Sequence, residues 1–88
     1  MIRVLRLSTA FLRAYDRHRV VPGTPLARRI AATIRVLGDT AELPSAGDLE
    51  FLMPPSLTGF LRPVQGTGFV VAYAVTDAEL VILTLRVG

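Results

Sequence analysis

The apolar and polar positions along the chain predict one strand, two helices and then three strands. Apolar and basic residues alternate imperfectly over residues 2–7, which favours a first strand at or near the edge of a sheet. Ser8 or Thr9 is then a suitable N-cap, because a hydroxyl there accepts a hydrogen bond from the free amides of the first helical turn. Apolar residues follow at helical spacing, so we expect a first helix that ends near Val20.

The second helix has the clearest local signals in the sequence. Thr24 is placed to cap it, and Pro25 occupies the first helical position, where its missing amide costs nothing. Gly38 supplies a stop signal. The connection between the helices is short, so we expect an antiparallel helical hairpin. One face of this helix carries an apolar stripe: Leu26, Ile30, Ile34 and Leu37.

The second half of the chain begins with a segment that we predict to be irregular. Residues 38–59 are rich in glycine, proline, serine and acids, and Pro54 and Pro55 prevent a continuous helix or a central strand. "QGTG" and "TDAE" then predict two turns. The strands that these turns separate are expected at residues 61–64, 69–75 and 80–85.

The predicted fold is a single α+β domain over residues 1–88: an N-terminal strand, a two-helix antiparallel hairpin and a three-stranded antiparallel sheet. The last two strands are apolar on both faces, yet two helices cover only one face. We therefore expect a partner chain, a second copy or an inserted segment on the other face. Alternatively, residues 38–59 fold across it and bring Leu49, Phe51, Leu52 and Met53.

Composition narrows the classes of function. The chain has 51% hydrophobic residues, which argues against disorder, and no cysteine, which excludes disulfides and thiolate metal sites. His18 is the only histidine, so we expect neither a metal site nor a cofactor. No apolar run reaches the ~20 residues of a membrane span, and the first residues do not resemble a signal peptide. We expect a cytoplasmic protein without a membrane partner.

The charges are segregated along the chain. The net charge is +3 and all ten basic residues are arginine; eight of them lie in residues 1–36, whereas residues 37–60 hold four acids and no base. Arginine binds phosphate and carboxylate groups through two hydrogen bonds at once. The basic half therefore favours nucleic acid or an acidic protein as a partner, and a solvated arginine-rich pair of helices is the alternative.

The last third of the chain resembles toxins of the RelE/ParE superfamily, which belong to type II toxin-antitoxin modules. The matching pieces are Arg62, the glycine turn of residues 66–68, Phe69, "VVAYAV", "DAEL" and "VILTLRV". The resemblance implies an antitoxin that wraps the toxin and buries its apolar face. It also implies growth inhibition, either through ribosome-dependent mRNA cleavage, as in RelE-like members, or through DNA gyrase, as in ParE-like members.

The bases typical of RelE-like nucleases are largely missing. Val70 stands where such nucleases place a base after the aromatic residue, and Arg62 is the one base among residues 61–64. RelE-like nucleases also continue past the last strand with basic and aromatic residues, whereas this sequence stops at Gly88. We therefore favour a toxin-like protein that acts by binding. An mRNA endonuclease with relocated arginines and a non-toxic homodimeric module remain alternatives.

Few side chains qualify as candidates for catalysis or binding. Arg62 is the best catalytic candidate, followed by Arg86 and His18; for Arg62 a salt bridge to Asp77 or to the acidic middle segment is the competing role. Tyr73 is expected in the core. The candidate partner-binding residues are Arg28, Arg29, Arg62, Val81, Leu83 and Arg86.

Overall fold

In the part of the chain that the structure describes there are two α-helices and five β-strands, which confirms the predicted α+β class. A computed structural model describes residues 3–53 and 57–88. The elements are β1 (Val4–Leu7), α1 (Thr9–Arg17), α2 (Pro25–Asp39), β2 (Leu49–Met53), β3 (Leu57–Val64), β4 (Phe69–Val75) and β5 (Glu79–Val87).

Both helices begin at the residues that the sequence indicates. The Ser8 hydroxyl accepts a hydrogen bond from the Phe11 amide at 3.1 Å, and the Thr24 hydroxyl accepts one from the Ala27 amide at 3.3 Å. α1 is shorter than predicted, because Arg19 adopts a left-handed backbone conformation with φ 53° that ends the helical path. α2 continues through Gly38 for one further residue.

The sheet differs from the predicted three-stranded antiparallel sheet. It has five strands in the order β1-β5-β4-β3-β2, and β1 pairs with β5 in parallel, so the sheet is mixed. Residues 49–53 were expected to be irregular but form β2, which pairs with β3 at one edge. Pro54 and Pro55, which were expected to interrupt this segment, lie outside the described residues, as does Ile2 in the predicted first strand. The edge position expected for the first strand is confirmed.

The core lies between the two helices and one face of the sheet. Tyr73, at 0% exposure, is confirmed as a core residue, and it sits among aliphatic side chains of β4, β5 and α2. Leu26 and Ile34 of the predicted helical stripe are half-buried and pack against this core. The buried residues of the cluster are Phe11, Ala14, Val20, Ala27, Ile30, Leu37, Val64, Val71, Tyr73, Leu80, Ile82 and Leu85.

The other side of the sheet carries a second set of apolar side chains. Strand partners share a face, so the register assigns these residues to one surface, here called the open face. Residues 49–53 widen the sheet at its edge rather than crossing it, so the alternative in which residues 38–59 cover this face is wrong for these residues. In the part of the chain that the structure describes, both helices lie on the opposite side. The open face comprises Val4, Arg6, Leu49, Phe51, Leu61, Pro63, Val70, Ala72, Ala74, Glu79, Val81, Thr84 and Arg86.

Candidate binding sites on the two sides of the sheet

A buried ion pair joins the segment before β2 to the middle of the sheet. The Asp48 side chain is 2% exposed, and Arg62 binds it through Nε to Oδ1 at 2.5 Å and Nη2 to Oδ2 at 2.9 Å. The Tyr73 hydroxyl and the Ser45 amide also donate to Oδ2. Four hydrogen bonds therefore satisfy this carboxylate, which is what allows a charged group to be buried here.

These contacts change the acidity of each partner. Burial alone would raise the pKa of the Asp48 carboxyl, but the hydrogen bonds from Arg62, Tyr73 and Ser45 outweigh it and hold the pKa below its usual value. Burial and the hydrogen bond to Asp48 raise the pKa of the Tyr73 hydroxyl above its ordinary value. The hydrogen bond with Asp48 raises the pKa of Arg62. The network is therefore a carboxylate, a guanidinium ion and a neutral phenol across the neutral pH range.

Arg62 is held by this network rather than left free on a surface. The sequence left two salt-bridge partners open for it, and the structure forms the one with the acidic middle segment. Its Nε and Nη2 both donate to Asp48, so few of its hydrogen-bond donors remain for a scissile phosphate. Asp48 was not among the candidate site residues. The one sequence signal for it is the hydroxyl of Tyr73, since a buried tyrosine needs a hydrogen-bond partner.

Above this network lies an open cleft of about 640 Å³ between α2, the 45–48 turn and β3, here called the helix-side cleft. Arg29 and Arg62 both line it, so the fold brings together two of the predicted partner-binding residues. Arg29 is exposed beside the cleft, where its Nη1 donates to the Gln65 carbonyl oxygen at 3.0 Å. Arg28, its neighbour in the chain, is exposed on α2 and does not line the cleft.

The remaining predicted partner-binding residues lie on β5, away from the helix-side cleft. Val81 faces the open side of the sheet. Both Val81 and Leu83 are half-buried. Arg86 is exposed at the rim of a hollow of about 340 Å³ on the open face, whose other walls include Leu49, Leu61 and Val70. The candidates therefore do not form one site, because two line the helix-side cleft, Val81 and Arg86 lie on the open face, and Arg28 lies outside both surfaces.

His18 forms the C-cap of α1, and its ring packs edge-on against Phe69 with 5.2 Å between ring centroids. The ring is half-buried by this contact. The contact gives His18 a packing role at the end of the helix, and His18 lines neither the helix-side cleft nor the hollow.

Among residues 3–53 and 57–88, no group of three or more metal-ligating side chains comes together, and no helix is both long and apolar enough to cross a membrane. No protein-family model matches the chain, and neither the curated proteins nor the solved structures contain a match to it.

Proposed function

We propose that this protein is a toxin-like member of the RelE/ParE superfamily that acts by binding, and that an antitoxin segment covers its open face. The observation that carries the proposal is the second apolar side of the sheet. Leu61, Val70 and Val81 there are only half-buried, and the described helices pack on the other side. An apolar surface of this kind is typical of a site where another chain docks.

The order of elements supports the family part of the proposal. A strand, two helices and a run of antiparallel strands follow one another as the resemblance implies, and the "QGTG" turn separates β3 from β4 as expected. The additional edge strand β2 leaves this order intact, because it precedes β3 in the chain and extends the sheet at its far edge.

The geometry of the bases favours binding over mRNA cleavage. Nuclease action requires cations free to stabilise the charge that develops on a phosphate. Arg62, the best catalytic candidate, is bonded to Asp48 through two nitrogens, and Val70 brings an apolar side chain to the open face. A protein target such as DNA gyrase, contacted through the open face and its rim at Arg86, fits these side chains better than a nuclease substrate.

The same open face also fits a second candidate function. Two copies that pair their open faces would bury the same apolar side chains and form a non-toxic homodimeric module. The half-buried Val81 and the exposed Leu49 are equally compatible with this pairing. The two functions differ in their effect on cells, since only a toxin arrests growth.

Growth of a bacterial culture after induction of this chain alone tests the proposal. We expect arrest within a few generations, and rescue when a short acidic chain that binds the open face is expressed with it. Unimpeded growth at good soluble expression would contradict the toxin function. Intact bulk mRNA in the arrested cells distinguishes binding from ribosome-dependent cleavage.

A further inference from the structure

We propose that the helix-side cleft is a binding site for a small organic anion, that is, a molecule with a carboxylate or phosphate group on an apolar body. This site is separate from the surface used in the proposed function, because the cleft lies on the helix side of the sheet and the open face on the other. It is therefore tested on the purified chain, whatever the effect of the chain on growth.

The charges that line the cleft favour an anion. Arg29 and Arg62 contribute two guanidinium groups, and Asp48 is the one acid among the described residues that line the cleft. The Asp48 carboxylate is already occupied by Arg62, Tyr73 and Ser45. The positive charge of Arg29 is consequently left without a partner carboxylate in the part of the chain that the structure describes.

Arg29 makes one hydrogen bond at the cleft and keeps further donors for a ligand. Its Nη1 donates to the Gln65 carbonyl oxygen, while Nε and Nη2 have no acceptor among residues 3–53 and 57–88. Gly66 makes this placement possible, because a Cβ at that position would lie 2.9 Å from Arg29 Nη1. The guanidinium therefore lies at the cleft with Nε and Nη2 available to a ligand. A carboxylate or phosphate can accept hydrogen bonds from two such donors at once.

The walls of the cleft suit an apolar body. Ala32 and Val36 of α2 contribute aliphatic side chains. The hydroxyls of Thr33 and Thr40 donate to carbonyl oxygens of α2 at 3.0 and 2.6 Å, so they need no donor role toward a ligand. The volume of about 640 Å³ lies within the range of small-molecule sites, which are mostly apolar with a few polar groups that orient the ligand.

A titration followed by NMR tests this proposal with three probes: phenyl phosphate, benzoate and inorganic phosphate. We expect phenyl phosphate or benzoate to shift the amide signals of Ala46, Gly47 and Gln65 and the Nε–H signal of Arg29. Inorganic phosphate should bind more weakly, because it lacks the apolar body. The tighter of the two aromatic probes identifies the preferred anionic group.

Variants at two adjacent arginines give the decisive comparison. Arg29→Ala should weaken binding of the tighter probe at least about tenfold, since it removes charge-assisted hydrogen bonds. Arg28→Ala removes the same charge one residue away, outside the cleft, and should change the affinity less than about twofold. Arg29→Gln keeps a donor for the Gln65 carbonyl oxygen and should still lose the anion, which separates binding from support of the fold.

Three results would overturn the proposal. One is the absence of saturable shifts with either aromatic probe up to about 10 mM. Another is an equal loss of affinity in Arg28→Ala and Arg29→Ala, which would indicate general attraction to a basic surface. The third is a set of shifts centred on the hollow around Arg86, which would place the anion on the open face.

Discussion

Asp48 shows how much of this structure depends on one carboxylate. It lies at the end of the irregular segment and just before β2, and it receives hydrogen bonds from a strand residue on β3 and another on β4. Removing one member of a buried ion pair leaves the other charge without compensation, which costs far more than breaking an exposed pair. The network therefore connects residues 45–48 to the centre of the sheet.

Substitution of Arg62 tests this role. Arg62→Ala should lower the free energy of unfolding by about 3 kcal/mol, because the Asp48 carboxylate is then buried with its main partner gone. Urea denaturation followed by circular dichroism measures the loss.

Arg6→Ala is the matched control for Arg62→Ala. It breaks the pair with Glu79, in which the Arg6 side chain is 65% exposed and the Glu79 side chain 39% exposed. The free energy of unfolding should therefore fall by less than about 1 kcal/mol. Similar small losses in the two variants would contradict a structural role for the buried pair. Because Arg62→Ala also affects folding, a loss of toxicity in that variant alone would say nothing about a target surface.

The raised pKa of Tyr73 predicts a dependence of stability on alkaline pH. The unfolded chain releases the phenol proton near pH 10, whereas the folded protein retains it, so the unfolded state binds fewer protons and stability falls as pH rises above about 10. Tyr73→Phe should remove this contribution to the loss of stability at alkaline pH. It should also lower the free energy of unfolding by about 2 kcal/mol at neutral pH, because the hydrogen bond to Asp48 is lost.

Asp48 has the opposite effect at acidic pH. Its pKa is lowered in the folded protein, so its contribution to stability is complete above about pH 4 and is lost as pH falls below that value. Urea denaturation over a series of pH values measures both pH dependences. If the stability of Tyr73→Phe falls above about pH 10 as much as that of the wild type, a neutral, hydrogen-bonded Tyr73 is contradicted.

At the scale of elements, the helices and the last two strands could be predicted and β2 could not. Thr24 and Pro25 mark the start of α2 through local geometry alone, and the apolar runs of β4 and β5 flank a recognisable turn. β2 exists because residues 49–53 pair with β3, and a short segment followed by two prolines carries no local sign of that pairing. Likewise, the Asp48–Arg62 contact depends on the register of this hairpin.

Close packing at the edge of the sheet predicts a consequence for one glycine. A Cβ at Gly59 would lie 2.6 Å from the ring of Phe51, its partner across β2 and β3. Gly59→Ala should therefore displace Phe51 from the open face and lower the free energy of unfolding by about 1–3 kcal/mol.

A second substitution separates this clash from other effects of Gly59→Ala. Phe51→Leu removes the ring atoms that the new methyl group would meet, so the double variant should recover part of the loss, as measured by thermal unfolding. Strict additivity of the two substitutions would show that the Phe51 ring does not lie on Gly59.

At the scale of the whole molecule, the arginines do not form one free basic surface. Arg3 donates to the carbonyl oxygens of Thr40, Ala41 and Thr76, and so ties the end of α2 to the turn before β5. Arg62 is paired with a buried carboxylate. The charge pattern of the sequence predicts a basic partner surface, but the fold assigns some of these arginines to intramolecular contacts that sequence alone does not show.

The apolar character of the open face, by contrast, follows from the sequence because β4 is apolar at both sets of alternate positions. What the sequence left open was whether the middle segment covers it, and β2 answers this by extending the sheet at its edge. The open face is therefore the surface on which the proposed function depends.

The most direct test compares growth after induction of the wild-type chain, Leu49→Glu and Val21→Glu at equal soluble levels. Leu49 is 63% exposed on the open face and Val21 is 57% exposed outside it, so each variant adds one charge at a similarly exposed apolar site. We expect arrest by the wild-type chain and by Val21→Glu, and growth with Leu49→Glu, because a charge in an apolar interface is costly to bury. Equal arrest by both variants, or no arrest by the wild-type chain, would contradict binding through the open face.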